Sequence, residues 1–397
     1  MNFSRRSLLS AATVLTITPA AASGAADQTR ELQSAIDGAA AGDGVLRLPA
    51  GVYPVSGLRI PSSLQLEGVS GHTVLSAKPG TTILTIENAK HVNISGITFE
   101  GGDNGLVLRN SGGRICGNEF RQQEKAALHA LDSKGLEISG NHVHDIGNNG
   151  IQVWTSEKAE DGTLVTNNRV ERVAARDGGS GQNGNGINVY KAGHVLVSNN
   201  RVTDCAYSAI RNNSGSSCVI SGNSISRTFE VAIYVEFGFE GVVVCNNAID
   251  DVAFGISITN FNEGGRLAVC NNNMVRNIHG GTTEGVKSAG GIYAEADTLI
   301  ANNVIDSARD FGIGMGWGPY CRNLSAQGNL IQNCATGITA SVTAGAGQSY
   351  IAHNIIATAK TAAIVGMDHL DVKTEDLGRA EAKVPDQILL AGNIIRA

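Results

Sequence analysis

The sequence is short of several things. Only seven of its 397 residues are proline, four are methionine and two tryptophan; aromatic residues make up 5% and charged residues 17%. No stretch approaches the ~18 consecutive apolar residues that cross a bilayer as a helix. Cation clusters are scarce as well, and the formal charge is −6, which argues against general nucleic-acid binding through phosphates. The seven cysteines are an odd number and fall at repeat positions, so they do not form the pattern of a disulfide framework.

Glycine is what the chain has in quantity, with 50 residues. Together with abundant Asn and scarce Pro, it indicates many tight turns rather than disorder. The start, MNFSRRSLLSAATVLTITPAAASGAA, has the build of an export signal. Arg5 and Arg6 form a charged head, residues 8–17 a mildly apolar core, and Ala20-Ala21-Ala22 a small-residue cleavage site. SRRSLL resembles a twin-arginine signal. The expectation is a signal over residues 1–26 and a periplasmic or secreted domain over 27–397. Two arginines and no acid leave with the signal, so the formal charge of −6 becomes −8.

The domain is repetitive. A motif of the form apolar-x-apolar-x-Gly/Asn-Asn-x-apolar recurs as LEISGNHV, LVTNNRV, VLVSNNRV, VISGNSI, VVVCNNAI and LAVCNNNMV, among others. Between its copies runs a second motif, as in GIQV, GINV, AIRN, AIYV, GISI, GIYA and GIGM. The apolar residues of this second motif, Leu128, Ile151, Ile187, Ile210, Ile233, Ile256 and Ile292, set a period in the twenties, with two longer steps. Strands of three to five residues at such a period predict an all-β parallel solenoid of roughly a dozen coils, stacked ~4.8 Å apart. The recurring Asn predicts a side-chain ladder at one turn through Asn141, Asn168, Asn200, Asn223, Asn247 and Asn272. Cys245 and Cys270 fall two residues before this Asn in consecutive coils and are expected to stay unpaired, because in-register parallel neighbours fit disulfide geometry poorly.

These repeats resemble the right-handed parallel β-helix of the pectin-lyase-like superfamily, over essentially all of residues 27–397. The segment DQTRELQSAIDGAAAGDGVLRLPAGVYPV agrees, with Leu32, Ala35, Ile36 and Ala39 on one helical face after Asp27. It is expected to form an N-terminal cap over 27–57, whose helix plugs the solenoid. The whole chain also resembles twin-arginine-exported repetitive proteins, a likeness that adds no mechanism. A charged insertion at 367–387 interrupts the last repeat and is expected to cover an exposed strand edge or to loop out.

The resemblance implies an active face on the strand carrying the second motif. Alternation places two outward columns on that strand: Gln152, Asn188, Arg211, Tyr234, Ser257, Tyr293, Gly314, and Trp154, Tyr190, Asn213, Glu236, Thr259, Glu295, Gly316. Aromatic rings beside charged groups suit sugar rings. The two glycines would let a ligand approach the backbone. Long loops at 174–185 and 279–290 bracket this panel over ~19 Å. Asn212 stands where neighbouring coils have Val189 and Val235, so a local distortion is expected.

Three readings follow. An acidic-polysaccharide lyase or C5-epimerase would use Arg211 to neutralise a uronate, Tyr234 as base or acid and Glu236 to orient them. Trp154, Asn188, Tyr190, Lys191, Asn213, Tyr293 and Glu295 would bind substrate. His144 is a further titratable candidate on the adjoining strand. An inverting glycoside hydrolase would instead use Glu236 and Glu295, ~9.6 Å apart by coil spacing. The third reading is a non-catalytic, glycan-binding solenoid. The expected partner is a polysaccharide, the expected state a monomer. No cofactor is implied and no metal site is read, though a divalent cation stays open; the Asp cluster of calcium-dependent pectate lyases is missing from the panel.

Overall fold

In the computed structural model, which describes residues 26–179, 181–260, 264–281 and 288–396, each repeat becomes one coil of three short strands. The strands stack into three fourteen-stranded sheets, joined strand to strand in parallel except at the last pairing of sheet 1. Sheet 1 holds the second motif, in strands such as Ile210–Asn213, Val231–Glu236, Phe254–Thr259 and Gly290–Ala294. Sheet 2 (for example Val219–Ser221) and sheet 3 (for example Ser224–Thr228) flank the Asn turn. The export-signal expectation at 1–26 lies almost wholly outside the described residues, as does 282–287 of the second long loop.

The core is a set of stacked columns. Ile151, Ile187, Ile210, Ile233, Ile256, Ile292 and Ile313 pair in register along sheet 1 and are shut off from solvent. Each contributes roughly 1.5–3 kcal/mol on burial. At the open lower end, helix Thr29–Ala41 buries Leu32, Ala35 and Ile36 against the first coils. The N-cap is Gln28, which makes no capping bond with its side chain; Asp27, one residue earlier, accepts the Thr29 N–H at 2.8 Å. At the upper end, segment 367–387 folds back on the last full strand of sheet 1, Ala362–Asp368: Asp371–Val372 pairs antiparallel with it, Leu377 N–H donates to Ile364 O, and Leu377 is buried.

The asparagine ladder runs through Asn118, Asn141, Asn168, Asn200, Asn223, Asn247, Asn273, Asn303, Asn329, Asn354 and Asn393. From Asn141 on, each Oδ1 accepts both the side-chain amide and the backbone N–H of the preceding Asn, at 2.9 to 3.2 Å, while Asn118 Oδ1 accepts the Ile97 N–H. Asn272 is not a rung. It occupies the position before the rung, where the backbone must turn left-handed: Asn246, Asn272 and Asn302 have φ of 57, 55 and 55°. In CNNNM three consecutive asparagines leave the rung ambiguous; the backbone selects the residue after the left-handed turn.

The same one-residue offset separates the two cysteines. Cys270 pairs with Val244 and Cys245 with Asn271, so they do not share a repeat position. Cys270 points into the core and Cys245 outward. Both are free thiols, for the reason that they face opposite sides of sheet 2.

Candidate functional site

The outward columns of sheet 1 form in the expected register. Asn188, Arg211, Tyr234, Ser257, Tyr293 and Gly314 follow one another, as do Tyr190, Asn213, Glu236 and Thr259. Glu295 continues the second column, its N–H donating to Ile258 O. Asn212 keeps its place between Val189 and Val235 without a bulge. Fully buried, it turns its amide to Gly215 O at 3.1 Å and closes the strand end.

Arg211, Tyr234 and Glu236 are brought together, but as a closed cluster. Arg211 Nε donates to Glu236 Oε1 at 2.7 Å, and Arg211 Nη1 lies 3.5 Å from Glu230 Oε2. Asn213 Nδ2 reaches the same Glu236 oxygen at 2.9 Å. The guanidinium lies over the Tyr234 ring, 5.1 Å from its centroid. Loop 174–185 lies on top: Gly181 O accepts from Arg211 Nη1 at 2.7 Å, and a Cβ on Gly181 would sit 2.0 Å from that nitrogen. Arg211 is 8% exposed and Glu236 1%. Burial raises the Glu236 carboxyl above its usual range, with Arg211 opposing. Burial, helped by the Glu236 charge, pushes the Tyr234 phenol well up.

On the N-terminal side, Trp154 packs edge-on against His129 and Tyr190, with centroids 5.0 and 5.7 Å apart. Lys191 Nζ donates to Ser156 O at 3.0 Å and lies 5.4 Å from the Tyr190 ring centre. Asn188 is buried. These residues form a packed surface.

The open groove lies on the C-terminal side, a cavity of about 530 Å³ running from Val231 to Val372. Of the two columns read from the sequence, Tyr234, Ser257, Thr259, Tyr293, Glu295 and Gly316 line it. Glu295, 3% exposed, accepts the Asn260 N–H at 2.9 Å. The Tyr293 hydroxyl is buried with no hydrogen-bond partner among the described residues, and burial holds this phenol well above its usual range. Phe254, Phe311 and Trp317 add aromatic surface; Ser257, Thr259, Thr339 and Ser341 add hydroxyls. Asp310 also lines the groove, its carboxyl held below the usual range by the Arg309 guanidinium. Among the described lining residues there is no Lys or Arg.

Two parts of this groove escaped the sequence reading. A further column facing the groove, three residues before the first, pairs Val231 with Phe254 and Phe311 with Thr336; the F in FGISI and FGIGM was its signal. The far wall comes from Met367, His369, Leu370 and Val372 of the terminal insertion, whose fold-back no repeat pattern announces. Gly314 does not admit a ligand to the backbone, because the Tyr293 and Phe311 rings fill that space, 2.6 and 2.8 Å from where a Cβ would stand. His144 lies on sheet 3, its Nε2 bonded to Glu119 and its Nδ1 to Asp145.

A three-sheet parallel solenoid with an Asn ladder and a groove on one sheet defines a β-helix protein. The sequence pattern of the family described as right handed beta helix region matches residues 80–170 and 159–291, together more than half of the chain, and the protein belongs to that family. No curated protein matches it by sequence. Among solved structures it is similar to the catalytic domain of a GH87 alpha-1,3-glucanase in complex with tetrasaccharides, with 14% identity and a TM-score of 0.58, covering 95% of this chain and 69% of that one. It is also similar to the A-module of the Azotobacter vinelandii mannuronan C-5 epimerase AlgE6, with 14% identity and a TM-score of 0.53, covering 95% and 97%. At these identities the likeness is one of fold.

Proposed function

We propose that the protein acts on a polysaccharide held along the sheet 1 groove, and that the sugar chain is uncharged. The composition of the lining carries this reading. Rings of Tyr234, Phe254, Tyr293, Phe311 and Trp317 alternate with hydroxyls and two carboxylates, and the described lining has no Lys or Arg to meet a uronate, its one imidazole, His369, being bonded to Asp368. Sugar rings present C–H faces to aromatic surface and hydroxyls to polar groups at the edges. The fold is shared with a glucanase and with a mannuronan C-5 epimerase alike, so the choice of an uncharged polymer rests on the lining.

The lyase or epimerase reading is the less favoured one. Arg211 already faces Glu236 and Glu230 under loop 174–185, so drawing it out to a uronate would strand two buried carboxylates. In a hydrolase, Glu295 and Asp310 are the carboxylates that face the groove. Asp310, kept ionised by Arg309, serves as the base that activates water. Glu295 at the buried back protonates the leaving oxygen. Glu236, outside the lining and bound to Arg211 and Asn213, orients the wall instead. A signal over residues 1–26 would export the protein to where such polymers occur.

The test is a panel of neutral and acidic polysaccharides, followed by binding, by reducing ends and by unsaturated-uronate absorbance. Binding to neutral glycans with new reducing ends is expected. Unsaturated product from an acidic polymer, with no affinity for neutral ones, overturns the proposal. Binding without cleavage removes the roles of Glu295 and Asp310 but keeps the groove.

A further inference from the structure

Sheet 3 carries a second constellation, away from the groove. In NHVHDIG the two histidines are two residues apart on a strand, so both point outward. Glu119, on the preceding coil, pairs in register with His142. One donor atom from each of Glu119, His142 and His144 lies within 4.8 Å of the other two. We propose that this triad is a binding site for a first-row transition ion of the zinc class.

Three observations beyond proximity support it. First, each imidazole has a carboxylate behind it: Asp145 Oδ2 is 2.6 Å from His144 Nδ1, and Glu171 Oε1 is 3.0 Å from His142 Nε2. Such partners fix the tautomer and raise the basicity of a metal-ligating histidine. With Nδ1 held by Asp145, His144 directs Nε2 at Glu119 Oε1, 3.0 Å away. Second, Glu119 can be released to an ion. Its neighbour Arg121 lies 3.3 Å from Glu119 but has a closer partner in Glu100, at 2.6 Å. Third, the rings are already gathered, His142 and His144 having centroids 4.3 Å apart.

Donor chemistry selects the ion. Two imidazoles and one carboxylate suit zinc, cobalt, nickel or copper, whereas calcium and magnesium take oxygen ligands. Bond lengths of ~2.0–2.2 Å to zinc require the three half-buried donors to close in by side-chain rotation. Three protein ligands leave a fourth position open to water or to an external ligand. The site depends on neither the groove nor its proposed substrate.

The experiment is a cobalt(II) titration of the untagged full chain after chelator treatment, read by visible absorption and calorimetry. A saturable visible band at one ion per chain is expected, with no near-ultraviolet thiolate band. The band should be lost in Glu119→Gln with His144→Gln, and Asp145→Asn should weaken binding roughly 10–100-fold, as loss of an orienting partner does. Absence of saturation at millimolar cobalt overturns the proposal. So does unchanged binding in the double variant, or a thiolate band that moves the ion to a cysteine. Should the variants fail to fold, zinc protection of His142 and His144 in the wild-type chain against carbethoxylation, read by mass spectrometry, decides the matter; equal modification with and without zinc overturns it.

Discussion

Arg211 Nε and Glu236 Oε1 meet at 2.7 Å beneath loop 174–185, both side chains almost out of solvent. A pair so buried is weak evidence of net stabilisation, yet breaking it leaves an uncompensated charge. Glu236→Leu should therefore cost about 3–5 kcal/mol, measured as a shift in the denaturation curve. The triple change Arg211→Met, Glu230→Gln and Glu236→Leu, which leaves neither carboxylate of the cluster stranded, should recover much of that loss. If the triple variant is no more stable than the single one, the stranded charge is not the source of the loss.

The ladder separates adjacent asparagines sharply. Asn273→Ala removes a side chain that bonds both Asn303 and the Val244 carbonyl and should cost about 1–3 kcal/mol. Asn272 holds a left-handed turn instead. Asn272→Gly, which suits that backbone, should stay within about 0.5 kcal/mol of the parent. Equal losses at 272 and 273 in thermal unfolding would contradict the register.

His129 makes stability depend on pH. Burial, with a contribution from the Arg109 charge, lowers its pKa to about 4 from 6.5. Above 6.5 it is neutral in both the folded and unfolded chain. As pH falls below 6.5 the unfolded chain takes up a proton that the folded one refuses until about 4. Stability is therefore present in full above 6.5, declines between 6.5 and 4, and levels off for this group below 4. His129→Gln should flatten that stretch of a stability–pH profile by on the order of 2–3 kcal/mol; an unaltered slope would assign it to other groups.

Within the groove, Trp317→Ala should weaken glycan binding by about 1–3 kcal/mol, a 5- to 150-fold rise in dissociation constant, if a sugar stacks there. Glu295→Gln should abolish turnover while affinity is retained, as for a proton donor rather than an anchor. Full turnover in both Glu295→Gln and Asp310→Asn would remove hydrolysis from sheet 1.

The repeat period alone carried the fold, and with it the register of Asn188, Arg211, Tyr234 and Tyr293. A parallel solenoid repeats one local solution, so the position of a residue within its coil sets the sheet, the face and the neighbours above and below. Three things lay outside that logic. The run Asn271-Asn272-Asn273 is degenerate in letters, and only backbone chirality picks the rung. The depth of Arg211 depends on where loop 174–185 comes to rest, and Gly181 sets that position. The groove shifts toward the C-terminal coils because segment 367–387 folds back to build its far wall. Stacking within the coils is local and periodic, hence legible in sequence; what covers the stack comes from insertions with no period, and their place is decided by tertiary contact alone.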